Sequence, residues 1–494
     1  MANSPSNRVL VMNILMFALC FAAWTLFGVL ITFLVDHRVL VLDKAQIGWL
    51  MGAPILTGSL LRLPVGALSD RYGGKPITVW IMLLSAAAMF ATSYANGFAQ
   101  LLCFGLLFGL VGASFASGVA LTSVWFPKNR QGTALGLLGL GNVGTAVTAL
   151  SAPALLKWAT QGGENLEGWR LVPQIYAGAL VLMAIAFSVL SVAKRPDTPP
   201  RSLAVLMRPL GNVRVWRFGL YYFLVFGAFV ALSQWLIPYS LNVYGMSLAS
   251  AGVLATMFSM PSALTRAVGG FVSDRYGARA TLYAVLSGVF VLFVLLVAPR
   301  MDITSPGEGI LAERAGTVTA VGPNAIVVDD VTYSLRQRSD QGQATDSTAV
   351  VWPQFTSWHE PVAKVGDSVT KKQVLAKGTT HIYFQANRTV FTVLLLVAGV
   401  LMGLGMAAVF KHIPEYFPDD VPVVGGLVGV IGGLGGFVLP IVFGYALKAT
   451  GVWTTCFVIL ALLAAVCLGW MHLVIVRSAA KHEKTELEAR RGGQ

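Results

Sequence analysis

Apolar residues run along this chain in long uninterrupted blocks, not in the short alternations of a soluble fold. Twelve blocks reach or approach the roughly 20 residues a helix needs to cross a bilayer. They cover about 9–35, 46–69, 76–94, 98–126, 131–156, 172–193, 216–243, 248–273, 278–298, 389–411, 421–447 and 453–477. The pattern predicts an all-α membrane protein of twelve spanning helices. It breaks once, over 299–388, where no block is long enough to span.

That stretch is too long for a plain loop. It carries nine Lys/Arg against nine Asp/Glu, and Gly316–Leu335 reads as two strands about a Gly322-Pro323-Asn324 turn. Val362–Lys377 alternates as well, so a small β-rich domain is expected, with Val365-Gly366-Asp367 onward resembling half of a biotinyl/lipoyl-type sandwich. A carrier-type lysine hairpin is not evident, and no cofactor is expected.

Composition sharpens the membrane reading. Hydrophobic types make up 56% of the 494 residues and charged types 12%, against about 25% charged in soluble domains. So little polar surface cannot cover a water-soluble globule. The net charge of +13 raises nucleic acid as a partner. Its distribution argues for a lipid bilayer instead: Arg71 and Lys75, Lys128 and Arg130, Lys194, Arg195 and Arg201, Arg275 and Arg279, Lys411 and the tail after 477 flank alternate connections. The positive-inside rule then places both termini in the cytoplasm of a multi-pass inner-membrane protein, with 299–388 periplasmic. The first block is too long for a signal-peptide core. Cys20, Cys103, Cys456 and Cys467 all fall in expected spans without a paired motif, and read as small buried apolar residues. Neither a disulfide nor a metal site is expected.

The chain repeats itself. Residues 62–75 read RLPVGALSDRYGGK and residues 266–279 read RAVGGFVSDRYGAR, 204 positions apart. An Arg stands eight residues before the Asp of each DRYG run: Arg62 before Asp70 and Arg266 before Asp274. Equivalent motifs in spans 2 and 8 imply two related six-helix halves. The expected organisation is 1–195 (first half), 196–215 (cytoplasmic linker), 216–298 (spans 7–9), 299–388 (insertion) and 389–494 (spans 10–12 with a tail). The run Gly66-x3-Asp70-Arg71-Tyr72-Gly73-Gly74-Lys75 resembles the loop signature of the major facilitator superfamily. That resemblance implies a twelve-helix carrier fold in which Asp70, Arg71, Asp274 and Arg275 form a conformational charge latch.

Arg62 and Arg266 are the basic residues deep in spans, and no Asp or Glu lies well inside one. A central guanidinium costs at least ~2.5–3.5 kcal/mol on insertion scales. Eight helical residues rise about 12 Å and half a hydrocarbon core is about 15 Å, so each Arg belongs near the midplane. Two cations on opposing halves without an acidic partner point to a hydrated cleft that attracts an anion. Arg suits a planar oxyanion through its two parallel donors. The alternative is that each side chain snorkels to the interface or caps backbone carbonyls.

Span 5 carries Gly136, Gly139, Gly141, Asn142 and Gly144; span 11 carries Gly425, Gly426, Gly429, Gly432, Gly433, Gly435 and Gly436. Close helix packing explains such runs by itself, and it would also bring backbone and the Asn142 amide near a small ligand. The paired runs resemble those of the nitrate/nitrite porter (NarK-type) family. So do Phe115-Ala116-Ser117, Trp125-Phe126-Pro127-Lys128 and Val409–Pro418. The resemblance implies that Arg62 and Arg266 bind the anion between them. It implies a flat aromatic slot from Phe115, Tyr222 and Phe226, with Asn142, Gly141, Gly144, Gly435 and Gly436 beside it. Without the resemblance, aromatics four apart are ordinary packing. Nitrate/nitrite antiport by alternating access is the expected function. The alternatives are proton-coupled nitrate symport and, in another class, a sensor or docking protein whose insertion meets a periplasmic partner. His37 and His412, at span ends, are expected to be ordinary interface residues. No nucleophile–base set, phosphate loop or metal cluster suggests an enzyme.

Overall fold

The computed structural model describes residues 5–194, 203–298, 300–338, 353–418 and 420–492. They form two compact units: residues 1–297 with 392–494, and residues 298–391.

The larger unit holds twelve helices long and apolar enough to cross a membrane among the described residues. Span 1 is Pro5–Asp36, span 2 Lys44–Tyr72, span 3 Gly74–Thr92, span 4 Phe98–Trp125, span 5 Thr133–Ala159 and span 6 Leu166–Leu190. Span 7 is Val213–Tyr244, span 8 Leu248–Tyr276, span 9 Ala278–Leu296, span 10 Arg388–Tyr416, span 11 Val423–Thr450 and span 12 Thr455–Val476. Residues 196–202 of the expected linker lie outside the described residues; a short helix, Leu203–Met207, and a turn, Arg208–Gly211, follow. Of the four free cysteines three are buried, whereas Cys103 is exposed on the outside of span 4, where lipid-facing surface tolerates a small apolar thiol.

Several spans depart from the α-helix midway, each for a local reason. Span 2 breaks between Leu60 and Arg62, because Pro64 has no N–H to give the Leu60 carbonyl four residues back. Span 1 breaks at Thr25, whose hydroxyl donates back to the Phe21 carbonyl at 3.1 Å, a competition that bends helices. Spans 4 and 5 tighten into 3₁₀ turns over Gly109–Ala113 and Gly139–Val143. Span 7 widens into a π turn over Phe223–Gly227.

The halves meet closely toward the end opposite the DRYG runs. A Cβ on Gly48 would strike the Pro440 carbonyl, one on Gly252 the Ala149 carbonyl and one on Gly444 the Lys44 carbonyl. Only the absent side chain lets spans 2 and 11, and 5 and 8, come to backbone contact. Asp43 caps span 2 in a reciprocal box with Gln46 and accepts a hydrogen bond from Lys448 of span 11 at 2.9 Å.

The smaller unit is β-rich: β1 (Met301–Leu311), β2 (Gly316–Val321), β3 (Ala325–Val328), β4 (Val331–Ser334), β5 (Gln354–Pro361), β6 (Ser368–Val369) and β7 (Val374–Phe384). The sheet orders are β1-β7-β5 and β4-β3-β2-β6, with antiparallel pairing throughout. Val318, Ile326, Val328, Val369 and Leu375 form its own core. The Gly-Pro-Asn hairpin stands where the alternation placed it. Residues 362–373 are mostly turns around the short β6, and the regular strand their alternation suggested begins only at Val374 with β7. β1 and β5 escape the pattern, since Asp302, Pro306, Gly307 and Glu308 read as loop, and pairing with β7 overrides that local preference.

Candidate anion site

The departures from regular helix mark where the candidate residues gather. Arg62 follows the span 2 break, Trp24 precedes the span 1 break, Phe115 follows the span 4 turn, Asn142 lies within the span 5 turn and Phe226 within the span 7 turn. Arg266 lies five residues beyond Pro261 of span 8. Loosened turns frequently mark functional positions.

Arg62 and Arg266 are 4% and 8% exposed. Both face the same two rings. The Arg62 guanidinium carbon is 5.5 Å from the Phe115 centroid and 5.5 Å from that of Phe226. For Arg266 the distances are 5.7 and 6.0 Å. The cations thus share one slot, with Phe115 and Phe226 as its faces. Tyr222 stacks on Phe226, centroids 5.0 Å apart and planes 8° from parallel, and meets Phe410 edge-on.

Arg62 Nη1 donates to the Gly429 carbonyl at 2.8 Å, while its Nε and Nη2 have no hydrogen-bond partner among the described residues. Neither arginine makes an ion pair among the described residues. A buried donor left without a partner costs about 1–3 kcal/mol, more when charged. Arg62 bears that penalty while facing the same rings as a second cation, and an anion with several acceptor oxygens relieves both the unpartnered donors and the like-charge repulsion.

The glycines divide by role. Gly429 and Gly433 of span 11 and Gly139 of span 5 border the guanidiniums: Cβ atoms there would lie 3.8 and 3.5 Å from Arg62 Nη1 and 2.9 Å from Arg266 Nε. The four glycines singled out from the sequence stand elsewhere. Gly141 backs onto Phe17 and Gly144 onto the Ala18 carbonyl of span 1; Gly435 backs onto Phe223 and Gly227, and Gly436 onto Ile55 and Val230. They set helix approach. Asn142 is fully buried; its amide contacts Met406 Sδ at 3.8 Å and its Oδ1 has no partner.

Sequence reading missed Trp24, which lies 5.5 Å from the Arg62 guanidinium and donates to the Pro54 carbonyl at 2.8 Å. It is the last residue before the break of span 1. His412 also differs from expectation: it is 3% exposed and pairs with Glu415 at 3.1 Å. Span 10 stays helical to Tyr416, beyond its apolar run, which draws His412 into the bundle. Of the residues proposed for the latch, Asp274 pairs with Lys411 of its own half, and the Arg71 and Arg275 guanidiniums lie over the rings of Tyr72 and Tyr276. Asp70 has a partner of its own.

Twelve spans in two related halves, with cations from each half at a shared central slot, define a membrane carrier. The family model described as Major Facilitator Superfamily matches residues 13–319 and 375–492. The chain is 37% identical over 490 residues to the probable nitrate/nitrite antiporter NarK1 of Thermus thermophilus, covering 97% of this chain and 95% of that protein. That aligned range takes in the insertion. It is 26% identical to a nitrite extrusion protein of Bacillus subtilis, over 87% of this chain and 86% of that one. A crystal structure of a bacterial homolog of the human lysosomal transporter Spinster superposes with a TM-score of 0.62 at 15% identity, over 96% and 97% of the two chains. The chain belongs to the Major Facilitator Superfamily and, within it, to the NarK-type nitrate/nitrite porter family.

Proposed function

We propose that this protein exchanges nitrate for nitrite across the inner membrane by alternating access, with Arg62 and Arg266 as the anion clamp and Phe115 and Phe226 as its flat walls. One observation carries the reading: two buried guanidiniums from opposite halves share both rings, make no ion pair among the described residues, and Arg62 keeps two unpartnered donors. A planar monoanion accepts from both forks within a slot as thin as an aromatic stack. The names of the relatives support nitrate and nitrite as the anions.

Exchange follows from the charge balance. An anion between the arginines relieves their repulsion, so a loaded carrier rocks between its two openings more readily than an empty one. The glycine contacts between the halves and the Asp43–Lys448 pair would act as the gate at one end; the basic flanks support a periplasmic side for that end and cytoplasmic termini. Proton-coupled uptake is the second reading, favoured by the buried His412, which pairs with the half-exposed Glu415.

Proteoliposomes decide. With nitrite inside, labelled nitrate enters severalfold faster than into empty vesicles, at equal pH on both sides. Uptake that ignores internal nitrite and follows an imposed pH gradient removes the exchange reading.

A further inference from the structure

A second cationic cleft lies at the DRYG end of the second half, away from the anion slot. Spans 7, 9, 10 and 12 line a half-open cleft there. Three guanidiniums gather around one ring. Arg279 Nη2 donates to the Tyr416 hydroxyl at 2.8 Å, and the guanidinium carbons of Arg214 and Arg217 lie 5.0 and 6.0 Å from the Tyr416 centroid. None of the three makes an ion pair among the described residues. The nearby carboxylate, Glu415, accepts from His412. Tyr221 lines the cleft 2% exposed, and its hydroxyl has no hydrogen-bond partner among the described residues. The span 12 wall is apolar: Met471, Val474 and Ile475, continuing to exposed Leu473 and Val476.

We propose that this cleft binds the phosphate of an anionic phospholipid, with Arg217 and Arg279 on the phosphate oxygens, the Tyr221 hydroxyl as a further donor and an acyl chain along span 12. The charge balance fits: three fixed cations against one carboxylate leave an excess that a headgroup phosphate offsets. The level fits too, because Asp274 and Arg275 end span 8 at the same end of the bundle, where headgroups lie. The apolar wall separates a lipid from a free phosphate or nitrate, neither of which has anything to place there. The site is built only from the second half, so its occupancy is independent of the nitrate reading.

Native mass spectrometry of the full-length protein in detergent tests this, with phosphatidylglycerol, phosphatidylcholine and inorganic phosphate as probes. The expected result is one phosphatidylglycerol held in preference to phosphatidylcholine and not displaced by millimolar phosphate. R217Q and R279Q each weaken it by about tenfold, Y221F weakens it less, and R217K retains most of it. Equal retention in R217Q and R279Q, or equal binding of phosphatidylcholine, overturns the site. Displacement by inorganic phosphate overturns the lipid assignment. Y221F and R217K keep the test decisive should a glutamine variant misfold.

Discussion

Arg62 and Arg266 carry the chemistry because of what surrounds them. A lysine at either position keeps the charge and loses the fork. Arg62→Lys is therefore expected to weaken nitrate binding about tenfold or more, since a charged hydrogen bond contributes about 1.5–3 kcal/mol. Isothermal titration on purified protein reads this, and unchanged affinity would reject bidentate recognition. Phe226 faces both cations. Phe226→Leu keeps the site apolar but removes the ring's negative face, worth about 0.5–2 kcal/mol to a cation. Nitrate affinity should drop about three- to tenfold, with a melting temperature near that of the wild type. Gly433→Ala puts a methyl against Ser59 and beside Arg62 Nη1; counterflow should fall while expression stays normal.

Helix irregularity decides where these side chains point. Pro64 opens span 2 beside Arg62, and Pro64→Ala should restore the missing hydrogen bond, raise thermal stability and slow transport. A rise in both would show that the break does not serve the site. Much of this was legible beforehand. Apolar run length located all twelve spans, because a bilayer demands it. The repeated motif with Arg eight residues before Asp located both arginines, because a charge at that depth must be accounted for. The 3₁₀ and π turns were not legible: glycine and proline mark where a helix can bend, but neighbours choose how. Gly141, Gly144, Gly435 and Gly436 were expected beside the anion, yet it is Gly139, Gly429 and Gly433 of the same runs that border the guanidiniums. Strands β1 and β5 stayed hidden because antiparallel pairing, not their own composition, makes them strands.

Between the halves, the far-end gate should respond to acid. Lys448 and the Gln46 backbone N–H hold the Asp43 carboxyl below its ordinary value. A carboxylate depressed in the closed state favours that state above its ordinary pKa, and the preference is lost as pH falls through the lowered value. Spin labels across spans 2 and 11 should report more opening in strong acid in the wild type, and no such acid step in Asp43→Asn. Gly252→Leu should hold that gate apart at every pH, because its side chain has nowhere to go against Ala149. The β-rich unit has a core independent of the spans. Deleting residues 299–388 with a short linker should leave nitrate exchange measurable in vesicles; its complete loss would tie the insertion to transport.

The way that unit is attached bears on how such an insertion arises. β1 leaves and β7 returns as neighbours, with Met301 opposite Phe384, so the 84 residues from one to the other begin and end side by side. Seen from the helices, that excursion spans no more distance than a tight hairpin, and the chain entropy of joining its ends is already spent inside the folded sheet. A lineage could therefore lengthen, shorten or exchange everything beyond that two-stranded stem without retuning the helices it interrupts.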